Sequence, residues 1–290
     1  MTQNNTKLGI LLMIATTFVF AMQDGISRHL AETYNVVMVV MVRYWFFLAF
    51  VLAISMRHRG GLQRVAQTRQ MWVQLFRGVL LAGEILVTVL AFVYLGLIET
   101  QAIFAIYPLL IAALSGPVLG EGVGWRRWVA IGIGFLGMLV ILQPGFKVFS
   151  PYAVIPLVGA FMFAAYSLLT RYVARQDTAA TSFFYTGVGG AAVMTLVGPF
   201  FWENMSAPDW GWMALLCVMG ATGHYLLIKT YEAAEASAVQ PFAYLQVVFV
   251  TILAMVVFDE VLPLTTAIGG GIIIVAGIYT LWRERLSDSS

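Results

Sequence analysis

YEAAEASAVQPFAYLQVVFVTILAMVVFDE, residues Tyr231 to Glu260, opens with a polar patch of small residues and acids. It then runs apolar from Val247 to Phe258 and stops at an acidic pair, Asp259 and Glu260. The same plan occurs once before, in YLGLIETQAIFAIYPLLIAALSGPVLGE, Tyr94 to Glu121. An offset of 139 residues lays Glu121 on Glu260, Val118 on Val257 and Gly132 on Gly271. Each copy has the length of a membrane span plus a loop. The chain therefore reads as two similar halves, 1–145 and 146–290, joined through the loop Gly145–Ser150.

Composition sets the class. The chain of 290 residues is 61% hydrophobic and only 10% charged, with a mean hydropathy of +0.88. A soluble domain carries roughly 25% charged residues, so this chain cannot cover a water-facing surface and reads as an all-α integral membrane protein. A net charge of +2 is too small to point to nucleic acid. The single cysteine, Cys217, excludes an internal disulfide and any CxxC site. The first apolar stretch outruns a signal-peptide core and further spans follow it, so it reads as a span.

Apolar runs punctuated by polar, Gly or Pro residues predict ten spans, near 8–28, 35–56, 72–95, 99–119, 127–143, 151–170, 181–202, 210–230, 237–257 and 264–282. Backbone groups in lipid must be satisfied within the segment, so these are helices. Lys and Arg in the connections set the orientation. With a cytoplasmic N-terminus, Lys7, Arg57, Arg59, Arg64, Arg69, Arg126, Arg127, Arg171, Arg175, Arg283 and Arg285 lie inside, against Arg28 and Lys147 outside. Both termini are therefore expected in the cytoplasm. Five spans per half is an odd number, so the second half enters the membrane inverted. The loops agree: Arg126 and Arg127 follow Glu121, whereas Val261, Leu262 and Pro263 follow Glu260. Inverted repeats place a substrate site near the midplane between the halves.

Charged side chains inside a span are costly and point to function. Glu84 stands halfway along span 3, and His224 stands in span 8, its repeat partner, at nearly the same offset. Both are candidate substrate contacts. Asp24 in span 1 and Arg43 in span 2 are expected to neutralise each other as a structural or gating pair. Arg77 and Lys229, near cytoplasmic span ends, are expected to snorkel. Tyr107-Pro108 and Gln246-Val247 occupy matching positions of the two motifs. Pro108 and Pro241 each remove a helix hydrogen bond and predict kinks. Among the aromatic residues, Tyr166, Tyr225 and Tyr244, with Tyr107, are candidates for a central cavity suited to a flat or apolar ligand with one polar end. Glycines in span 5 (Gly132, Gly134, Gly137) and span 10 (Gly269, Gly270, Gly271, Gly277) read as helix-packing faces or a homodimer contact, so the chain is expected as a monomer or homodimer. Gly132-Ile-Gly-Phe-Leu-Gly137 matches a dinucleotide fingerprint in letters only, because no βαβ unit surrounds it. No cofactor, metal site or enzymatic motif is expected.

The repeated motif, small and polar, then AEAS-like, then Pro, an apolar run and a closing acid, resembles the signature of the drug/metabolite transporter superfamily in its EamA-type branch. The resemblance covers nearly the whole chain. It implies that spans 1, 3, 4, 6, 8 and 9 line a central cavity, that spans 5 and 10 are peripheral, and that a small-molecule substrate crosses by alternating access. Members of the branch often carry Glu-Pro where this chain has Tyr107-Pro108, so an acidic role does not carry over to that position. The resemblance implies a multi-pass protein of the cell membrane, the inner membrane in a bacterium. Export of aromatic or other apolar amino acids is the first expectation, with Glu84 on the α-ammonium, His224 and Gln246 on the carboxylate and tyrosines beside the ring. Uptake of a nucleotide-like metabolite such as S-adenosylmethionine is the alternative. A membrane-embedded enzyme and a passive channel are the remaining rivals.

Overall fold

A computed structural model of the chain describes residues 5–57, 61–122, 124–142, 151–258, 264, 268–275 and 279, and all their regular secondary structure is helical. The helices are α1 (Thr6–Thr33), α2 (Val36–Arg57), α3 (Gly61–Ala66), α4 (Met71–Leu95), α5 (Leu97–Phe104), α6 (Tyr107–Leu119) and α7 (Trp125–Leu142) in the first half. The second half has α8 (Val154–Val173), α9 (Ala179–Val197), α10 (Ala207–Ala233), α11 (Ala236–Ala243) and α12 (Leu245–Phe258), and residues 268–275 are again helical. Among the described residues, six helical stretches are long and apolar enough to cross a membrane: Thr6–Thr33, Val36–Arg57, Met71–Leu95, Pro151–Val173, Ala179–Phe201 and Ala207–Ala233. Tyr107–Leu119, Trp128–Val140 and Ala236–Val250, the last with the turn at Tyr244 inside it, are shorter apolar helical stretches. The acidic pair Asp259 and Glu260, Val261–Pro263, the joining loop Gly145–Ser150 and Gly277 lie outside the described residues.

The helix ends follow their local chemistry. The Asn5 side chain accepts from the Leu8 amide at the start of α1, and Thr178 and Ser206 do the same for α9 and α10. Gly120 closes α6 in the left-handed region at φ 66°, where a residue without Cβ carries no steric cost.

Two spans expected to be continuous are broken. The fourth divides at Ala105–Ile106 into α5 and α6, and the ninth divides at Tyr244 into α11 and α12. Ala105 and Tyr244 stand at the same 139-residue offset as the sequence motifs. Pro108 follows the first break by three residues and removes the amide that would close on Phe104; Pro241 precedes the second break by three. Short i→i+3 hydrogen bonds tighten both breaks, Ile106 N to Ile103 O at 3.2 Å and Val247 N to Tyr244 O at 3.1 Å.

Packing repeats the same correspondence. α1 lies along α10, as α4 lies along α8; α1 meets α12, as α8 meets α6; and α2 meets α9. α1 and α10 run antiparallel. Asn5 at one end of α1 bonds Ala233 at the end of α10, and Tyr34 at the other end donates to Asp209 at its start. Helix backbones touch where α4 crosses α9. A Cβ on Gly78 would lie 2.7 Å from the Tyr185 carbonyl oxygen and 3.2 Å from the Gly189 Cα. Backbone atoms cannot rotate away, so Gly78→Ala forces the helices apart. The expected cost is about 1–3 kcal/mol, read as a lower unfolding temperature in detergent relative to Gly132→Ala, where a Cβ meets nothing within 4 Å. Of the expected glycine faces, Gly137 abuts Gly269 and Gly134 abuts the Tyr244 ring, whereas Gly270 and Gly271 face open space.

Candidate functional site

Helical spacing collects the polar residues. On α1, Phe20, Gln23, Asp24 and Ser27 recur at i, i+3, i+4 and i+7 and so form one stripe. On α4, Glu84, Thr88 and Phe92 do the same at intervals of four. The two stripes face a cavity that is completed by Arg43 of α2, Gln101 and Phe104 of α5, Phe163 of α8, His224 of α10 and Gln246 of α12. It encloses about 490 Å³ of space between atoms, part of it open to solvent. The six spans that the family resemblance implied as lining all contribute, and span 2 joins them through Arg43.

The hydrogen bonds within the cavity are specific. Asp24 Oδ2 accepts from Gln101 Nε2 at 2.8 Å and from Gln246 Nε2 at 2.7 Å. One carboxylate thus holds an amide from each of the two broken spans. Arg43 Nη2 donates to Gln23 Oε1 at 2.8 Å and lies 3.2 Å from His224 Nε2. A guanidinium only donates, so Nε2 must accept, which leaves the ring proton of the neutral imidazole on Nδ1. That Nδ1 has no hydrogen-bond partner among the described residues, nor has Ser27 Oγ. Glu84 Oε1 accepts from Thr88 Oγ1 at 2.8 Å. Gly220 makes room for the guanidinium, since a Cβ there would lie 2.5 Å from Arg43 Nε.

Several expectations need correcting. Asp24 and Arg43 share the cavity, yet no ion pair joins them among the described residues. Side-chain amides and an imidazole satisfy each instead. Tyr225 is 40% exposed and packs its ring on Phe183, outside the cavity. It neighbours His224 in sequence, but one residue turns a helix by about 100° and carries the side chain to another face. Tyr244 is buried against α7, 6.4 Å from the Phe135 ring, also away from the cavity. Tyr107 packs at an angle behind Phe104 and edge-on to Phe163, and Tyr166 stands edge-on behind His224 with ring centroids 6.2 Å apart. Neither lines the cavity. Glu84, His224 and Gln246 do.

Arg77 does not snorkel. It is fully buried and donates to Gln74 Oε1 at 2.9 Å, to Thr170 Oγ1 at 3.1 Å and to the Ser182 carbonyl, with its guanidinium 5.2 Å from the centre of the Tyr166 ring. Gln74 in turn donates to Asp177 at 2.8 Å. Lys229 remains partly exposed and pairs with Glu232 at 2.6 Å. Beyond the Arg77 network, Glu121 accepts from Arg171 Nε at 2.8 Å and from the Ala236 amide at 3.0 Å, which ties the ends of α6 and α8 to the start of α11. The Arg77 network and the Glu121 cluster thus link α4, α6, α8, α9 and α11. No group of acids, histidines and cysteines suited to a metal occurs among the described residues.

A family model described as the EamA-like transporter family matches residues 7–143 and again 151–283. The chain is 26% identical to a protein of Rickettsia prowazekii named S-adenosylmethionine uptake transporter, over 97% of this chain and 95% of that one. It is equally 26% identical to a Vibrio cholerae protein named riboflavin transporter, over 96% and 95% of the two chains. A Pseudomonas aeruginosa protein named pseudopaline exporter CntI is again 26% identical, over 96% and 97%. A solved crystal structure shares the fold at a TM-score of 0.78 and 18% identity, covering 93% of this chain and 95% of that one. One transporter family matches both halves of a chain whose membrane-length helices surround a polar cavity, and this multi-pass membrane protein belongs to the EamA-like transporter family.

Proposed function

We propose that the protein is a secondary transporter of ten membrane-crossing helices, built as two inverted five-helix units, 1–145 and 146–290, with both termini in the cytoplasm. The paired breaks at Ala105 and Tyr244, the corresponding helix contacts and the loop charges support this arrangement. Alternating access moves the units about the cavity, with the links at Arg77 and Glu121 opening in the other state. The cargo passes through chemically unchanged.

The observation that carries the substrate reading is the charge of the cavity: two carboxylates, Asp24 and Glu84, against one guanidinium, Arg43. With both acids ionised, the complement is a zwitterion bearing one further positive charge. S-adenosylmethionine, which relatives are named for, has that charge and a planar base besides. An aromatic amino acid has the ring but not the extra charge. The tyrosines expected to flank such a ring lie elsewhere, so the amino-acid reading becomes the second choice.

Proteoliposomes loaded in parallel with labelled S-adenosylmethionine, tyrosine and riboflavin test this. S-adenosylmethionine flux is expected to exceed tyrosine flux by about tenfold, because one unmatched buried charge costs at least 1.4 kcal/mol. Glu84→Gln is expected to reduce that preference. Equal flux of tyrosine, or a preference unchanged by Glu84→Gln, contradicts the reading.

A further inference from the structure

We infer that the cavity recognises an onium centre, a sulfonium or quaternary ammonium carrying no N–H, held by the faces of Phe20, Phe104 and Phe163 between the carboxylates Asp24 and Glu84. The inference rests on the proposal that this cavity is the cargo site, and the experiment below separates the two.

The rings come first. Phe20 and Phe163 lie with centroids 6.4 Å apart at an interplanar angle of 73°, and Phe104 and Phe163 lie 5.6 Å apart at 49°. None of the three is stacked flat on another. They stand as inclined walls of one cavity that also contains both acids. Inclined aromatic faces around a void hold organic cations by their quadrupoles, best where water is excluded.

The acids come second. Asp24 receives only neutral amides, Glu84 receives only the Thr88 hydroxyl, and neither forms an ion pair among the described residues. Arg43, the one cation among the described residues that line the cavity, is held by Gln23 and His224. Two buried acids against one guanidinium leave one carboxyl without a counter-charge, and a cationic ligand favours its ionised form.

The ring faces then select among cations. A primary ammonium brings three donors, for which the oxygens of Asp24 and Glu84 still hold lone pairs but the faces of Phe20, Phe104 and Phe163 offer none. An onium centre brings no donor, so it suits the ring faces and takes the acids' field without displacing Gln101 or Gln246. Ser27 Oγ, 2% exposed, without a partner and lining the same void, remains for a polar group elsewhere on the ligand.

The test is equilibrium binding to the purified full-length protein in detergent, using two matched pairs: S-adenosylmethionine against S-adenosylhomocysteine, and S-methylmethionine against methionine. Each pair differs by one methyl group and the sulfonium charge. The sulfonium member is expected to bind at least about tenfold more tightly in both pairs. Phe163→Leu keeps an apolar side chain but loses the ring, and is expected to shrink both ratios at least threefold, whereas Phe163→Tyr keeps the ring face and the ratios. Phe20→Leu serves the same comparison if Phe163→Leu does not fold. Ratios near one in the native chain, no binding of either sulfonium, or full ratios in the folded leucine variant would each overturn the onium site. Sulfonium binding without flux into proteoliposomes would overturn the transport reading and leave the onium site standing. Equal flux and equal binding of S-adenosylmethionine and S-adenosylhomocysteine would do the reverse.

Discussion

Replacing Arg77 by alanine is expected to destabilise the protein by about 3–5 kcal/mol, the range for truncating a large buried side chain and stripping the hydrogen bonds it donates. The side chain is fully buried and holds α4 to α8 through Thr170 and to α9 through the Ser182 carbonyl. Its loss leaves a void the size of a guanidinium and strips Gln74 Oε1 of both its donors. Gln74 then no longer has a fixed orientation for Asp177, which also anchors Thr68 ahead of α4 at 2.6 Å. Ser182 O suffers less, because Thr186 Oγ1 also donates to it at 2.8 Å. Arg77→Met fills the void without the charge and is expected to recover about half the loss. Thermal unfolding in detergent reads both variants. An alanine variant as stable as the native chain would show that the network contributes nothing.

Asp24→Asn is expected to have the largest effect on transport, a loss of about 100-fold in initial flux. Two terms act together. The charge facing the proposed cationic cargo disappears. Gln101 and Gln246 both donate to Oδ2, and an amide oxygen in that place accepts from both only as a neutral group. Two charge-assisted hydrogen bonds weakened by roughly 1 kcal/mol each, with the lost attraction for the cargo, correspond to that factor. Because α5 and α12 meet through this carboxylate, the variant is also expected to weaken the coupling between the two broken spans. Proteoliposome flux at saturating cargo reads the first effect against a folded control with the native melting profile. Flux within threefold of native would remove Asp24 from the site.

Much of this was legible in the chain. The apolar runs placed the described spans from α1 to α12 to within about five residues, because period and length are local properties. The offset that aligned Glu121 with Glu260 also aligned two helix breaks, although the prolines alone predicted kinks and not divided helices. Glu84, His224 and Gln246 were found as rare polar groups in apolar surroundings. Gln23 and Ser27 were readable too, one and two helical turns on from Phe20, but uncharged side chains do not stand out by hydropathy. What could not be read depended on distant partners. Arg77 stands close enough to the end of its span to snorkel, and only acceptors 93 and 105 residues away turn it inward. Asp24 and Arg43 have opposite charges on adjacent helices, so pairing was the natural expectation. Gln101 and Gln246, 77 and 222 residues away from Asp24, satisfy it instead. Tyr225 followed His224 in the sequence but not around the helix.

The central claim is a single cavity reached in turn from each face of the membrane. Ser27→Cys in a Cys217→Ala background puts one thiol on the cavity wall, to be probed with a membrane-impermeant maleimide in right-side-out and inverted vesicles. The account predicts labelling in both orientations, suppressed in both by S-adenosylmethionine. Labelling from one face alone under every condition, or labelling from both that no cargo protects, would contradict it.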